Sequence, residues 1–473
     1  MLFLIVRYLL ALAFIPCVGY PLTLWLVGAR LGWSQVARWA LAWAAGLGVI
    51  SLEMLSLGLL GQSLTLANVV IPTAAIAGLL WVSYRCRYRA NGSTVEPNAS
   101  RPWNWLDKGL VFIIVFQILF SAVAALYLPL NTADAWGNWG LKGKAFFLEQ
   151  ALTFENLYER HGYYPLLVPL SLTWVYLGLG QINDGLVKAI FTLNLLALVA
   201  LFYQFMRLAA FKRREALLAT AYLTLAGGML IRHSAVAQAD VPLGLFYGLA
   251  CLSFVAWTQQ PEQIRYLAIT GLGAGLSVWT KYEGLPHVVI LTAVAGLFVA
   301  LNWRRRQFPL AFQMLSVYIL PIAVGLLPWL AFRQLHNLVS DGEHLGMLQV
   351  DQLPAVIRTM GLALVDIQRW GILWPVLGLT LLLNWRDLRR KVLFYPSLLL
   401  GLNLAFYVVA YLATSHVDLA AQINNTIHRL LLHIAPLTIF VVVLCVRSWF
   451  DNQRKFIAVL PPVVEGALRL TDR

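Results

Sequence analysis

An all-α, polytopic transmembrane helical bundle of about thirteen spans is the architecture to expect of this chain, on three grounds. Hydrophobic residues make up 60% of its 473 residues and charged ones 12%, with a mean hydropathy of +0.73. Soluble domains carry about a quarter charged residues. The apolar residues also gather into runs long enough to cross a bilayer, which takes roughly 17 to 25 residues. The formal charge of +14 sits in short connections between those runs, which is a topology signal rather than a nucleic-acid-binding surface.

The runs fall near 3–27, 38–60, 66–84, 108–130, 185–207, 216–232, 241–257, 266–280, 284–302, 311–332, 361–383, 393–413 and 429–449. The first lacks a small-residue cleavage pattern and is expected to stay as a span rather than be removed as a signal peptide. Five basic clusters set the orientation: Arg85, Arg87, Arg89, Arg101 and Lys108; Arg207, Lys212, Arg213 and Arg214; Arg304, Arg305 and Arg306; Arg386, Arg389, Arg390 and Lys391; Arg454 and Lys455. The positive-inside rule puts all five in the cytoplasm. That closes only if the segment 164–180, short and holding Pro165 and Pro169, is a juxtamembrane or re-entrant helix of the first large outer loop. The N-terminus is then outside and the C-terminus inside. Three parts follow: residues 1–104, a three-span extension with a cytoplasmic loop; 105–450, a membrane core; 451–473, a cytoplasmic tail. Cys17, Cys86, Cys251 and Cys445 lie in apolar runs or beside basic loops, so no disulfide framework is expected.

This topology gathers chemically capable residues on one face. All eight histidines, His161, His233, His287, His336, His344, His416, His428 and His433, fall in outer loops or near outer helix ends. An outward polar cavity is the natural expectation, because ionisable residues at the membrane are functional candidates by default. The first outer loop opens NTADAWGNWGLKGKAFF. If it is helical from Trp136, then Trp139, Lys142 and Phe146 share one face. Asp134 is either that helix's cap or a general base toward an acceptor hydroxyl. Lys142 and Lys144 are either phosphate partners or interfacial anchors. Further on, HGYYPLLVPL brings Tyr164, and RHSAVAQADVPL brings His233 and sets Asp240 at the mouth of two helices, as cap or as acid. TKYEGLPH places Lys281 and Glu283 in a tight connection turned by Gly284, a local ion pair or part of a site. In TSHVDLAAQINNTIHRLLLHIAP, Arg429 and His433 share a face, next to His428. Arg near a helix N-terminus makes an anion site, and a snorkelling Arg is the alternative. The loop 333–360, with His336, Asp341, Glu343, His344 and Asp351, has no trusted metal spacing.

No phosphate-binding GxxxxGK loop, dinucleotide fingerprint or HExxH is present, so ATP-driven work is not indicated. Group transfer outside the cytosol needs a donor delivered through the membrane, and a lipid-linked phosphate sugar fits. Cations would neutralise its phosphate leaving group while a carboxylate deprotonates the attacking hydroxyl. One displacement of that kind inverts the anomeric centre.

The order of a span, an outer loop with Asp134 and Lys142, then HGYYPLLVPL, RHSAVAQADVPL and TKYEGL resembles the bacterial membrane glycosyltransferases of the C type. That group contains protein O-mannosyltransferases and lipid A aminoarabinose transferases, and the resemblance covers about residues 105–440. It implies catalytic acids at Asp134 and Asp240, and cations that bind a polyprenyl phosphate at Lys142, Lys281 and Arg429. Lys144, Glu283, Tyr164, His233 and His428 join them as substrate-binding candidates. The implied partners are a polyprenyl-phosphate sugar donor, membrane lipid, and a glycan, lipid or protein acceptor, with no nucleic acid, in a bacterial inner membrane. A divalent metal is possible in such a site. The group often has two adjacent acids in the first loop, however, and Ala135 follows Asp134 here, which weakens the case for a bridging metal. Three spans also precede the core. A glycan polymerase or ligase and a secondary transporter are the competing readings.

Overall fold

The computed structural model describes residues 2–28, 31–88, 102–154, 162–225, 228–302, 308–338, 346, 348–414 and 418–459. His161, Asp341, Glu343, His344, His416 and the arginines 304–306 lie outside the described residues, as does most of the tail.

The described chain is helical throughout its regular structure. An N-terminal group holds α1 (Leu2–Val27), α2 (Gln35–Leu59) and α3 (Leu66–Tyr88), and α4 (Trp105–Tyr127) opens the expected core. A short π-helix, Ala135–Gly140, runs into α5 (Leu141–Glu149), followed by α6 (Leu167–Leu179). Next come α7 (Ala189–Leu208), α8 (Arg213–Leu225), α9 (Gly228–Ser234), α10 (Asp240–Gln259), α11 (Ile264–Thr280), α12 (Gly284–Asn302) and α13 (Phe308–Leu335). The C-terminal part is α14 (Leu353–Leu364), α15 (Ile367–Trp370), α16 (Leu373–Leu383), α17 (Lys391–Leu412) and α18 (Leu419–Val459).

Ten of these helices are long and apolar enough to cross a membrane. The other three expected spans take shorter forms. Residues 216–232 fall across α8 and α9, and 266–280 is the seventeen-residue α11. Residues 361–383 are interrupted because Asp366 caps α15 through the Arg369 amide and Gly371 turns the chain at φ +55°. The segment 164–180 contains α6, thirteen residues long and buried at every position. Arg7 of α1 closes its C-terminus by donating to the Gly178 carbonyl at 2.9 Å, and Gly180 adopts φ +74° there, as a helix terminus demands.

Where water would surround a soluble protein, this chain presents Phe112, Phe116, Leu119, Val123, Leu320 and Leu327. A surface so apolar is one solvated by lipid. Helix α10 is the opposite case, buried over 94% of its apolar window, and so forms the centre. Small residues let the helices approach it and one another. A side chain at Gly46 of α2 would drive into the Ile15 carbonyl of α1, and one at Gly275 of α11 into the Pro321 carbonyl of α13.

One end of the bundle is tied by basic residues. Arg213 donates to Asp107 at 2.7 Å, Arg447 to the Ala209 carbonyl at 3.0 Å, and Asp387 accepts from Ser448 at 3.0 Å and from Asn452. Arg429 and Arg447 lie eighteen residues apart on α18, so about 27 Å of helix separates that end from the other.

Candidate active site

At the opposite end, short connections deliver charged groups onto the N-terminus of α10. Asp240 is its first residue and is 0% exposed. Its carboxylate is not spent on capping the helix. Oδ1 accepts from Lys281 Nζ at 3.0 Å and from His433 Nε2 at 3.1 Å, while Oδ2 accepts from Arg429 Nε at 2.8 Å. His233 Nδ1 stands 3.5 Å from Oδ2 without a hydrogen bond. Because a carboxylate accepts only, His433 carries a proton on Nε2.

The partners come from far apart in sequence, and each is steered by local chemistry. Helix α11 ends at Thr280 and the next residue is extended, which turns Lys281 off the helix axis toward Asp240. Lys281 also pairs with Glu283 Oε1 at 2.7 Å, so the expected local ion pair forms as one half of a larger contact. Burial alone would lower the Lys281 pKa. Asp240 and then Glu283 outweigh it, and the value is raised above that of an ordinary lysine. Arg429 is held one turn before His433 on α18, and both side chains reach the same carboxylate.

Arg429 continues the row by donating from its second nitrogen to Asp134 Oδ2 at 2.6 Å. Asp134 is free to accept because Thr132 caps the following π-helix, its hydroxyl taking the Ala135 amide at 3.3 Å. Asn138 donates to Asp134 Oδ1 at 3.3 Å, and accepts from Lys142 Nζ at 2.7 Å. The expected shared face of Trp139, Lys142 and Phe146 is present and buried, with the Lys142 ammonium 5.9 Å from the Trp139 ring centre. The result is a row of alternating charge, Asp134, Arg429, Asp240, Lys281, Glu283. Arg429 and Lys281 each stand between two carboxylates.

Aromatic rings bridge the two lysine arms of this row. Trp139 packs on Tyr164 at 5.6 Å, Tyr164 on Tyr163 at 5.0 Å, and Tyr163 on Tyr282, the residue beside Lys281, at 5.9 Å. Two other candidates point elsewhere. Lys144 pairs with Asp184 at 2.8 Å, and His428 accepts from the Trp370 indole at 3.0 Å. Among the described residues, no group of three or more His, Cys, Asp or Glu side chains is arranged to hold a metal ion.

Three contributors were not singled out from the sequence. Asn138 couples Lys142 to Asp134, and its position four residues from each was the available signal. His433 was noted for its spacing from Arg429 but not as a partner of Asp240. Behind it lies a fully buried layer in which His287 Nδ1 donates to Asn403 Oδ1 at 2.7 Å and Asn403 Nδ2 donates to the Tyr247 hydroxyl at 2.8 Å. The His287 ring stands edge-on to His433 with centres 5.7 Å apart. Asn403 sits inside an apolar span, and an intramembrane amide of that kind is itself a signal.

Fold and site together are those of a multi-pass membrane protein with an ionic cluster at one end of its helices. The family model for dolichyl-phosphate-mannose-protein mannosyltransferases matches residues 176–338, a stretch that contains Asp240, Lys281 and Glu283. The crystal structure of ArnT from Cupriavidus metallidurans bound to undecaprenyl phosphate superposes with a TM-score of 0.50 at 14% identity. The match covers 74% of this chain and 63% of that one, so this chain spans under two thirds of the ArnT length. The likeness is one of fold, and it agrees with the C-type resemblance read from the motifs. No curated protein matches.

Proposed function

We propose that this protein is an inverting membrane glycosyltransferase that moves a sugar from a polyprenyl-phosphate donor to a glycan, lipid or protein acceptor. In this reading it works on the outer face of a bacterial inner membrane. The observation that carries the proposal is the placing of Arg429 and Lys281 side by side on Asp240. When the anomeric C–O bond breaks, the phosphate leaves with one more negative charge than it had as a diester. Two cations fixed at that point stabilise the charge as it develops, and their geometry is set before the donor arrives. Buried Asp240 keeps both cations charged and aimed, and Lys142 supplies a third, one amide away from Asp134. Asp134, 26% exposed at the edge of the row, takes the proton of the acceptor hydroxyl as the new C–O bond forms.

Three further supports bear on the donor and the orientation. ArnT is bound to undecaprenyl phosphate in its structure. The family model that matches residues 176–338 is defined by another polyprenyl-type phosphate sugar. The basic residues at the far end of the bundle, Arg213, Arg447 and Arg390 among them, match a cytoplasmic end, which supports an outer position for the ionic row. Asp240 begins α10 and Lys281 directly follows α11, which favours a site at one end of these helices over the midplane sites of secondary transporters.

Purified protein incubated with labelled polyprenyl-phosphate sugars and membrane lipid tests the reading. Wild type should transfer label, and Asp134→Asn should abolish transfer while staying folded. Full turnover by the variant removes Asp134 as the base. Transport of an unmodified solute by liposomes, with no transfer from any donor, replaces the whole proposal.

A further inference from the structure

The row ends on Glu283, whose two oxygens have different fates. Oε1 holds Lys281 at 2.7 Å. Oε2 is buried and has no hydrogen-bond partner. Neither of the other two carboxylates is in that state. Asp134 accepts on both oxygens, from Asn138 and Arg429, and Asp240 accepts on both, from Lys281, His433 and Arg429. An orphaned carboxylate oxygen is expensive to keep out of water, and one placed in a site calls for a partner such as a ligand hydroxyl.

Glu283 is also poorly anchored as a structural counter-ion. It sits on the turn between α11 and α12, is 28% exposed, and shares Lys281 with an Asp240 that alone is fully buried. The Gly284 that follows packs so closely on Ser277 that no side chain fits there, which fixes where the Glu283 backbone lies.

Resting on the proposed function, we infer that Glu283 reads the sugar of the donor, its free Oε2 accepting hydrogen bonds from sugar hydroxyls next to the anomeric carbon. The position follows from connectivity. The anomeric carbon is one oxygen away from the phosphorus, the phosphate sits on Lys281 and Arg429, and Glu283 is the carboxylate that shares Lys281 with Asp240. Glycosyl transfer passes through an oxocarbenium-like state, and hydrogen bonds to ring hydroxyls strengthen as positive charge develops. A carboxylate strengthens them further and attracts the cationic ring. The same charge repels a sugar that carries its own carboxylate. The substrate class is therefore an uncharged or cationic sugar with a free hydroxyl near the anomeric centre, and uronic acids are excluded.

The test separates sugar recognition from phosphate binding. In wild type, farnesyl-phosphate mannose should displace labelled undecaprenyl phosphate far better than farnesyl-phosphate glucuronate. Glu283→Gln should erase most of that preference. It should also lower transfer from the accepted labelled donor on the order of tenfold to a hundredfold, the worth of hydrogen bonds to a charged acceptor. Undecaprenyl phosphate itself should bind the variant as well as wild type or better, since Lys281 loses a competing anion. Glu283→Asp, which retracts the carboxylate without removing it, should recover discrimination against glucuronate but not the full rate. Weaker undecaprenyl phosphate binding in Glu283→Gln, in proportion to lost transfer, would reduce Glu283 to a tether for Lys281 and overturn the assignment. So would an unchanged wild-type preference in the variant. A wild-type protein that binds no undecaprenyl phosphate would instead bring down the proposed function on which this assignment rests.

Discussion

Asp240→Asn removes one charge and no volume from the centre of the site, and its cost can be worked from the contacts. The wild-type carboxylate is completely buried and neutralises Lys281, itself 6% exposed, together with Arg429, 24% exposed. Breaking a buried pair by neutralising one member costs about 3–5 kcal/mol, because the other charge stays desolvated. Arg429 keeps Asp134 and has access to solvent, so the loss concentrates on the Lys281 limb. The lower figure, about 3 kcal/mol, or roughly a hundredfold in the folded-to-unfolded ratio, is the expected effect. The asparagine amide also turns an N–H toward either Lys281 or Arg429, which are donors only.

The pH dependence adds a second signature. The Lys281 pKa is raised in the folded protein above its ordinary 10.5. A raised folded value means that the pair's contribution is fully present below the unfolded pKa and is lost as pH rises through the folded one. Wild-type stability should therefore hold through neutral pH and fall only in strong alkali. In Asp240→Asn the largest opposing charge is gone and burial dominates, so the Lys281 contribution changes sign: the alkaline loss should disappear, and stability should instead rise as pH climbs toward the unfolded lysine value. Denaturation midpoints in detergent, measured across pH for both proteins, check both statements. A variant within about 0.5 kcal/mol of wild type, the range of an ordinary surface substitution, would refute the idea that Asp240 is the hub of the row.

Arg429→Gln should weaken undecaprenyl phosphate binding by tenfold or more, because a charge-assisted contact is worth about 1.5–3 kcal/mol; unchanged affinity in a direct binding assay rejects the role. Gly275→Val should destabilise the protein by about 1–3 kcal/mol or more through overpacking at the α11–α13 crossing. Thermal stability in detergent reads that cost, and a tolerant variant would mean that the crossing can open.

Much of the architecture was legible because lipid leaves few solutions: an apolar run of some twenty residues must be helical, and ten such helices appear. One of the three exceptions has a visible cause: Asp366 and Gly371 break a run whose hydropathy stays high, and hydropathy does not register caps or a positive φ. Within the site, helical spacing gave the Trp139, Lys142 and Phe146 face, and the pairing of Arg429 with His433 on one side of α18. What spacing cannot give is the meeting of Asp134 with Arg429 across 295 residues, or of Asp240 with Lys281 across 41. Those contacts depend on how α10, α11 and α18 pack. The capping alternative for Asp134 was sound local chemistry, displaced because Thr132, two residues earlier, holds that job. His428, one residue before Arg429, is turned to the other side of α18 and spent on Trp370.

The alternation of sign in the row has a consequence for how a ligand finds it. Among the described residues, three carboxylates face three cations within hydrogen-bond reach of one another or of Asn138. Such an array has little net monopole, its far field cancels within a few ångströms, and salt has scarcely anything to screen. An anion dissolved in water would feel no pull from a distance. Encounter would then depend on a carrier already confined to two dimensions, sliding along the bilayer until its headgroup meets the row.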